Sequence, residues 1–130
     1  MKNSSRLAKL LGSIAAALAI VVGVTVPALA ATSYQVSGDV NKDANVVLTY
    51  STYRPHSAYG SLNFLLQSGQ SGVRFNFKSS SGGTVGWGSY LNPGQQYEWR
   101  NVLAGNYAFQ VQRQTTCTLC GTGWAGVYTS

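Results

Sequence analysis

Residues 91–111 read Leu-Asn-Pro-Gly-Gln-Gln-Tyr-Glu-Trp-Arg-Asn-Val-Leu-Ala-Gly-Asn-Tyr-Ala-Phe-Gln-Val. Within this stretch Tyr97 and Trp99 alternate with Gln96, Glu98 and Arg100, and Tyr107, Phe109 and Val111 alternate with Ala108, Gln110 and Gln112. Successive side chains of a strand point to opposite faces, so this period of two predicts half-buried strands over 96–102 and 106–113. Asn92-Pro93-Gly94 fixes φ at the proline and lets it turn positive at the glycine, the chemistry of a type II turn. Ala104-Gly105-Asn106 marks a second turn.

Outward from this stretch the same period recurs. Val73-Arg74-Phe75-Asn76-Phe77-Lys78 is the cleanest alternation, and 34–38, 45–53, 61–67, 84–90 and 123–129 complete a set of about eight short strands. Gly- and Ser-rich separators at 68–72 and 79–83 are expected to turn two hairpins. Short strands at regular spacing, with no ten-residue run of helical period, predict an all-β fold. The expected architecture is a small antiparallel β-sandwich, Ig-like or jelly-roll-like. Leu103-Ala104-Gly105-Asn106-Tyr107 resembles the tyrosine corner of Ig-like and related sandwiches. That resemblance implies a structural Tyr107 whose hydroxyl returns to upstream backbone. It implies architecture and no function.

The first thirty residues have a different character. Lys2, Arg6 and Lys9 are followed by an uncharged apolar run to Leu29, closing on Ala28-Leu29-Ala30. A basic region, an apolar region and a small-x-small site form a secretory signal, so residues 1–30 are expected to be cleaved and 31–130 to form a single domain. The Ala- and Val-rich signal without twin arginines points to a bacterial, Sec-type origin. The net charge of +6 for the whole chain falls to +3 from Ala31 onward, because three of the nine basic residues lie in the signal. The rest stand singly at 42, 54, 74, 78, 100 and 113, so nucleic acid is not the expected partner. No second long apolar run exists to span a membrane. Forty-nine of the 100 residues from Ala31 on are Ser, Thr, Asn, Gln or Gly, and all fifteen aromatics lie there. This composition predicts a neutral polar surface over an aromatic core, and argues against disorder.

Cys117-Thr118-Leu119-Cys120 is the one cysteine motif. In an exported chain an even pair reads as a disulfide. A thiol–disulfide enzyme would want a helix after the motif, and Gly121-Thr122-Gly123 follows instead. Zinc lacks four ligands, so no metal or other cofactor is expected. His56, in Tyr53-Arg54-Pro55-His56, reads as a solvated loop residue. Its sharper alternative is general acid–base chemistry on RNA with Glu98 and Arg100, which share a strand face. Glu98 and Arg100 otherwise read as a surface ion pair. Asp39, Asn41 and Asp43 faintly echo a calcium loop, without its glycine or distal glutamate. No nucleophile elbow is present, and the chain is not expected to be an enzyme.

The aromatic residues are then the main binding resource. Trp99 shares a strand face with Tyr97 and is assigned to the core. Trp87, flanked by Gly86 and Gly88, and Trp124, with Gly123 and Gly126 nearby, are assigned with Tyr90 to a ligand-binding face. The expected function is a non-catalytic, secreted, cell-surface-associated module for carbohydrate, cell wall or a protein ligand. The alternatives are a secreted effector, such as a bacteriocin-like toxin or enzyme inhibitor, and a self-assembling extracellular surface protein.

Overall fold

The computed structural model describes residues 31–130; the expected signal and its cleavage site lie outside them. Eight strands follow in order: β1 Ser33–Asp39, β2 Leu48–Thr49, β3 Arg54–His56, β4 Gly60–Gly69, β5 Val73–Ser79, β6 Gln96–Val102, β7 Gly105–Arg113 and β8 Gly123–Thr129. They form two antiparallel sheets and no helix is present among the described residues. One sheet has the order β1-β8-β4-β6. In the other, β7 pairs with β5 along one edge and with β2 and β3 along the opposite edge. No two consecutive strands pair with each other.

The alternation of apolar residues places the core between the sheets. Leu62, Phe64 and Leu66 point inward from β4, and Val73, Phe75 and Phe77 from β5, all fully buried. Phe64 meets Phe75 with ring centroids 4.3 Å apart, and Phe77 meets Phe109 at 4.8 Å. Rings of this size bury roughly 150–250 Å² each and dominate the packing. The β6–β7 connection carries the chain from one sheet to the other, and there Tyr107 donates its hydroxyl to the Leu103 carbonyl at 2.7 Å. Asn92-Pro93-Gly94 is the expected turn, with Gly94 at φ +92° and the Gln95 N–H bonded to the Asn92 carbonyl at 3.0 Å.

Four local expectations are corrected. The strand expected over 45–53 contracts to Leu48–Thr49, because Asp43 draws the N–H groups of Asn45 and Val46 into a turn. The 68–72 segment is not a hairpin; β4 and β5 belong to different sheets, so it is a crossover. No strand forms over 84–90. That strip runs beside β5 with irregular pairing, because Gly86 adopts φ +122° and breaks the pleat. His56 is not a solvated loop residue. It ends β3, is 3% exposed, and packs edge-on to Tyr107 at 6.2 Å.

Candidate functional site

The outer face of the β5–β7 sheet is built by the residues that alternate with the core. Arg74 and Asn76 point outward from β5, opposite Gln112 and Gln110 of β7. Two hydrogen-bonded rows cross the strands. In the first, Arg74 donates to Gln112 Oε1 through Nε at 3.1 Å and Nη2 at 2.7 Å, and Gln112 Nε2 donates to the Ala44 carbonyl at 2.8 Å. In the second, Asn76 Nδ2 donates to Gln110 Oε1 at 2.9 Å, and Gln110 Nε2 donates to Thr49 Oγ1 at 3.1 Å. Each carboxamide nitrogen carries two N–H groups, and one is engaged in each of these bonds.

The 84–91 strip borders this face. The N–H groups of Val85, Gly88 and Leu91 reach the carbonyls of Phe77, Phe75 and Val73. Gly86 is gripped from both sides: its N–H is taken by Asn76 Oδ1 at 2.8 Å, and its carbonyl accepts from Trp99 Nε1 at 2.9 Å. A Cβ on Gly88 would lie 2.8 Å from Trp99 Cζ2 and 2.9 Å from Tyr97 Cδ1, so this glycine sits tightly on the core. Trp87, between the two glycines, meets Arg74 instead.

The Arg74 guanidinium carbon lies 4.6 Å from the Trp87 ring centroid and 4.9 Å from that of Tyr90. Both rings are half-buried. A permanently charged guanidinium is attracted by ring faces, and the contact holds all three side chains in place. Among the described residues the single ion pair is Arg100–Glu98, so no carboxylate neutralises Arg74. The cluster therefore offers two aromatic surfaces around a positive, donor-rich centre.

Trp87 and Tyr90 thus meet through one arginine. Trp124 does not join them. It is 4% exposed and lies under the opposite sheet, 4.9 Å from Phe75 and 5.7 Å from Phe109 between ring centroids. Its glycine neighbours do not uncover it; Gly126 instead leaves room for the Phe64 ring and the Leu65 carbonyl. Trp124 is withdrawn from the binding face. Trp99 is 6% exposed and packs against Phe77. Cys117 and Cys120 form a disulfide with Cα atoms 5.4 Å apart, and the loop presents Leu119 fully to solvent. Arg74, Gln110 and Gln112 were missed by the sequence reading. Their outward parity was legible, and so was the return of the 84–91 segment beside β5 through the turn expected at 79–83; that Arg74 would meet both rings of that segment was not.

The proposed acid–base set does not assemble into a hydrogen-bonded unit. Glu98 and Arg100 form an exposed pair at 3.0 Å, and Glu98 also accepts from Ser61 at 2.7 Å. The Ser61 hydroxyl first, and Arg100 second, hold the Glu98 carboxyl below its usual range. His56 lies inside the other sheet with neither ring nitrogen hydrogen-bonded. The 39–43 oxygens organise loops. Asn41 Oδ1 accepts from the Asp43 N–H, and Asp39 Oδ1 accepts from Thr122 Oγ1. No group of three or more His, Cys, Asp or Glu stands together among the described residues. Nor is any described helix long and apolar enough to cross a membrane.

No family model matches the chain. A search of curated proteins finds no match either. Among solved structures the chain is similar to the VP2 subviral particle of infectious bursal disease virus, with 11% identity and a TM-score of 0.36. It is also similar to the structure of the Gt strain of that virus, with 14% identity and a TM-score of 0.32. In both cases the match covers 77% of this chain and 32% of the other. At these values the likeness carries neither fold nor function over, and this protein stands on its own two-sheet architecture.

Proposed function

We propose that this protein is a secreted, non-catalytic module that binds polysaccharide at the outer face of the β5–β7 sheet. The observation that carries this reading is the Arg74 guanidinium held by Trp87 and Tyr90 beside the Gln112 and Gln110 amides. Aromatic faces suit the apolar C–H faces of sugar rings, and amide and guanidinium N–H groups suit hydroxyl oxygens. The charge of Arg74 favours a glycan that also bears carboxylates. A rigid sheet, with side chains already bonded to each other, limits the ordering cost of binding.

The test is a pull-down of the purified protein on insoluble cell walls and on neutral and acidic insoluble glycans. Trp87→Ala and Tyr90→Ala are each expected to weaken binding by about 2 kcal/mol, the loss typical of an anchoring aromatic. Binding that survives both substitutions unchanged would remove the face from the reading. Absence of binding to any glycan would remove polysaccharide as the ligand. Export is tested separately, by the intact mass of protein from culture medium. The expected product begins within one or two residues of Ala31.

A further inference from the structure

Arg113 closes β7 on its inward face, in line with Tyr107, Phe109 and Val111. It is 4% exposed. Its Nε donates to the Asn41 carbonyl at 3.3 Å and its Nη2 to the Gly121 carbonyl at 2.6 Å. These bonds engage two of the five N–H groups of a guanidinium. No carboxylate lies within ion-pair distance of it. The single ion pair among the described residues is Arg100–Glu98. In the nearby 39–43 segment, Asp39 hydrogen-bonds to Thr122 and Asp43 to Asn45 and Thr116, and neither carboxylate forms an ion pair with Arg113. A guanidinium cannot escape by losing its proton, and a buried charge without a counter-charge is costly to keep.

The same arginine lines a cavity of about 280 Å³, together with Ser71, Asn92, Gln114, Thr115 and the Cys117–Cys120 disulfide. The other walls are hydroxyls, amides and sulfur, and no acidic side chain lines it. A buried cation without an ion-pair partner, on a residue that lines a polar cavity, is matched by an anion small enough to enter. We propose that this cavity binds a small oxyanion, a carboxylate or phosphate group, with Arg113 as the charged ligand and the Ser71, Gln114 and Thr115 side chains around it. The oxyanion can be free or carried by a larger molecule. The site uses neither Trp87 nor Tyr90, so it stands or falls apart from the polysaccharide reading.

The experiment is an amide chemical-shift titration of the purified protein with inorganic phosphate, sulfate and acetate, each against sodium chloride at matched ionic strength. Saturable shifts are expected at the Ser71, Gln114 and Thr115 amides, with dissociation constants on the order of 1 mM. Chloride should not reproduce them. Arg113→Gln is expected to abolish the shifts. Should that variant fail to fold, Gln114→Glu serves instead. It brings a carboxylate to the cavity and is expected to weaken anion binding at least about tenfold by like-charge repulsion, without lowering Tm. The absence of saturable shifts with all three anions would overturn the proposal. Shifts that persist unchanged in Arg113→Gln or Gln114→Glu would do the same. Saturation by acetate but not phosphate, or the reverse, identifies which oxyanion the cavity takes. Dependence on a glycan-borne carboxylate is read by repeating the titration with a monomeric uronic acid.

Discussion

The side-chain carbonyl of Asn76 accepts the N–H of Gly86 at 2.8 Å, across ten residues of chain. The same oxygen accepts the N–H of Phe77 at 2.8 Å. Asn76 is 4% exposed, so these bonds form largely out of water. They fasten the 84–91 strip to β5 at the point where Gly86 departs from extended geometry. Trp87 is placed over Arg74 as a consequence. Asn76→Ala is therefore expected to leave two N–H groups without this partner and to cost about 1–3 kcal/mol. Denaturant melts measure the cost. Glycan pull-down should weaken in the same variant, although Asn76 itself need not touch the ligand.

Gly88 offers a steric counterpart. An alanine there must displace Trp99 and Tyr97, whose ring atoms stand 2.8 and 2.9 Å from the added carbon. Overpacking of this kind costs about 1–3 kcal/mol. Gly83→Ala is the matched control, since nothing lies within 4 Å of its added carbon. Its Tm should stay near that of the parent. Equal losses for the two variants would mean that the strip does not rest on Trp99 in solution.

The three tryptophans should separate by stability. Trp124→Ala and Trp99→Ala each open a cavity under a sheet and are expected to cost about 3–5 kcal/mol. Trp99→Ala also strips the Gly86 carbonyl of its indole donor. Trp87→Ala removes a half-buried ring and one cation–π contact, for about 1 kcal/mol. Equilibrium unfolding of the three variants ranks them. A Trp87→Ala variant as unstable as Trp124→Ala would show that the outer face is structural.

Tyr107→Phe tests the corner between β6 and β7. It keeps the ring against His56 and removes only the hydroxyl that reaches the Leu103 carbonyl. The expected cost is about 1–3 kcal/mol. A cost near zero would indicate that water replaces the hydroxyl at the corner.

Stability should decline in alkali. Burial pushes the hydroxyls of Tyr50 and Tyr128 above the ordinary value of 10.0, the Asp39 backbone bond opposing the shift at Tyr50. The folded chain then holds these protons more tightly than the unfolded chain. Their contribution is complete below about pH 10 and is lost as pH rises through the folded values. Denaturant melts between about pH 9 and pH 11 should show this fall, and Tyr128→Phe should flatten it. A parent protein whose stability is level across that range would contradict the upward shift of both hydroxyls.

Much of the architecture is local information. Period-two alternation in 73–78 and 106–113 assigns Phe75 and Phe109 inward and Arg74 and Gln112 outward, because strand side chains alternate by covalent geometry alone. Pro93 and Gly94 specify their turn by the φ values open to them. The tyrosine corner reads from five consecutive residues for the same reason. The inward parity of Arg113 is equally legible, since it stands three alternations beyond Tyr107. What only the tertiary structure decided depends on pairings between residues far apart in sequence. Strand alternation says that Trp124 and Tyr128 share a face, but not that Phe75 and Phe109 of the opposite sheet cover it. The burial of His56 follows from β3 docking on β7, about fifty residues away. Arg74 meets Trp87 and Tyr90 only because Gly86 is caught between Asn76 and Trp99. The absence of pairing between consecutive strands is the physical reason for this division. Every pairing between the eight strands closes a long loop, so these neighbours in space are not written as neighbours in sequence; the 84–91 strip, returned beside β5 by the short 79–83 turn, is the local exception.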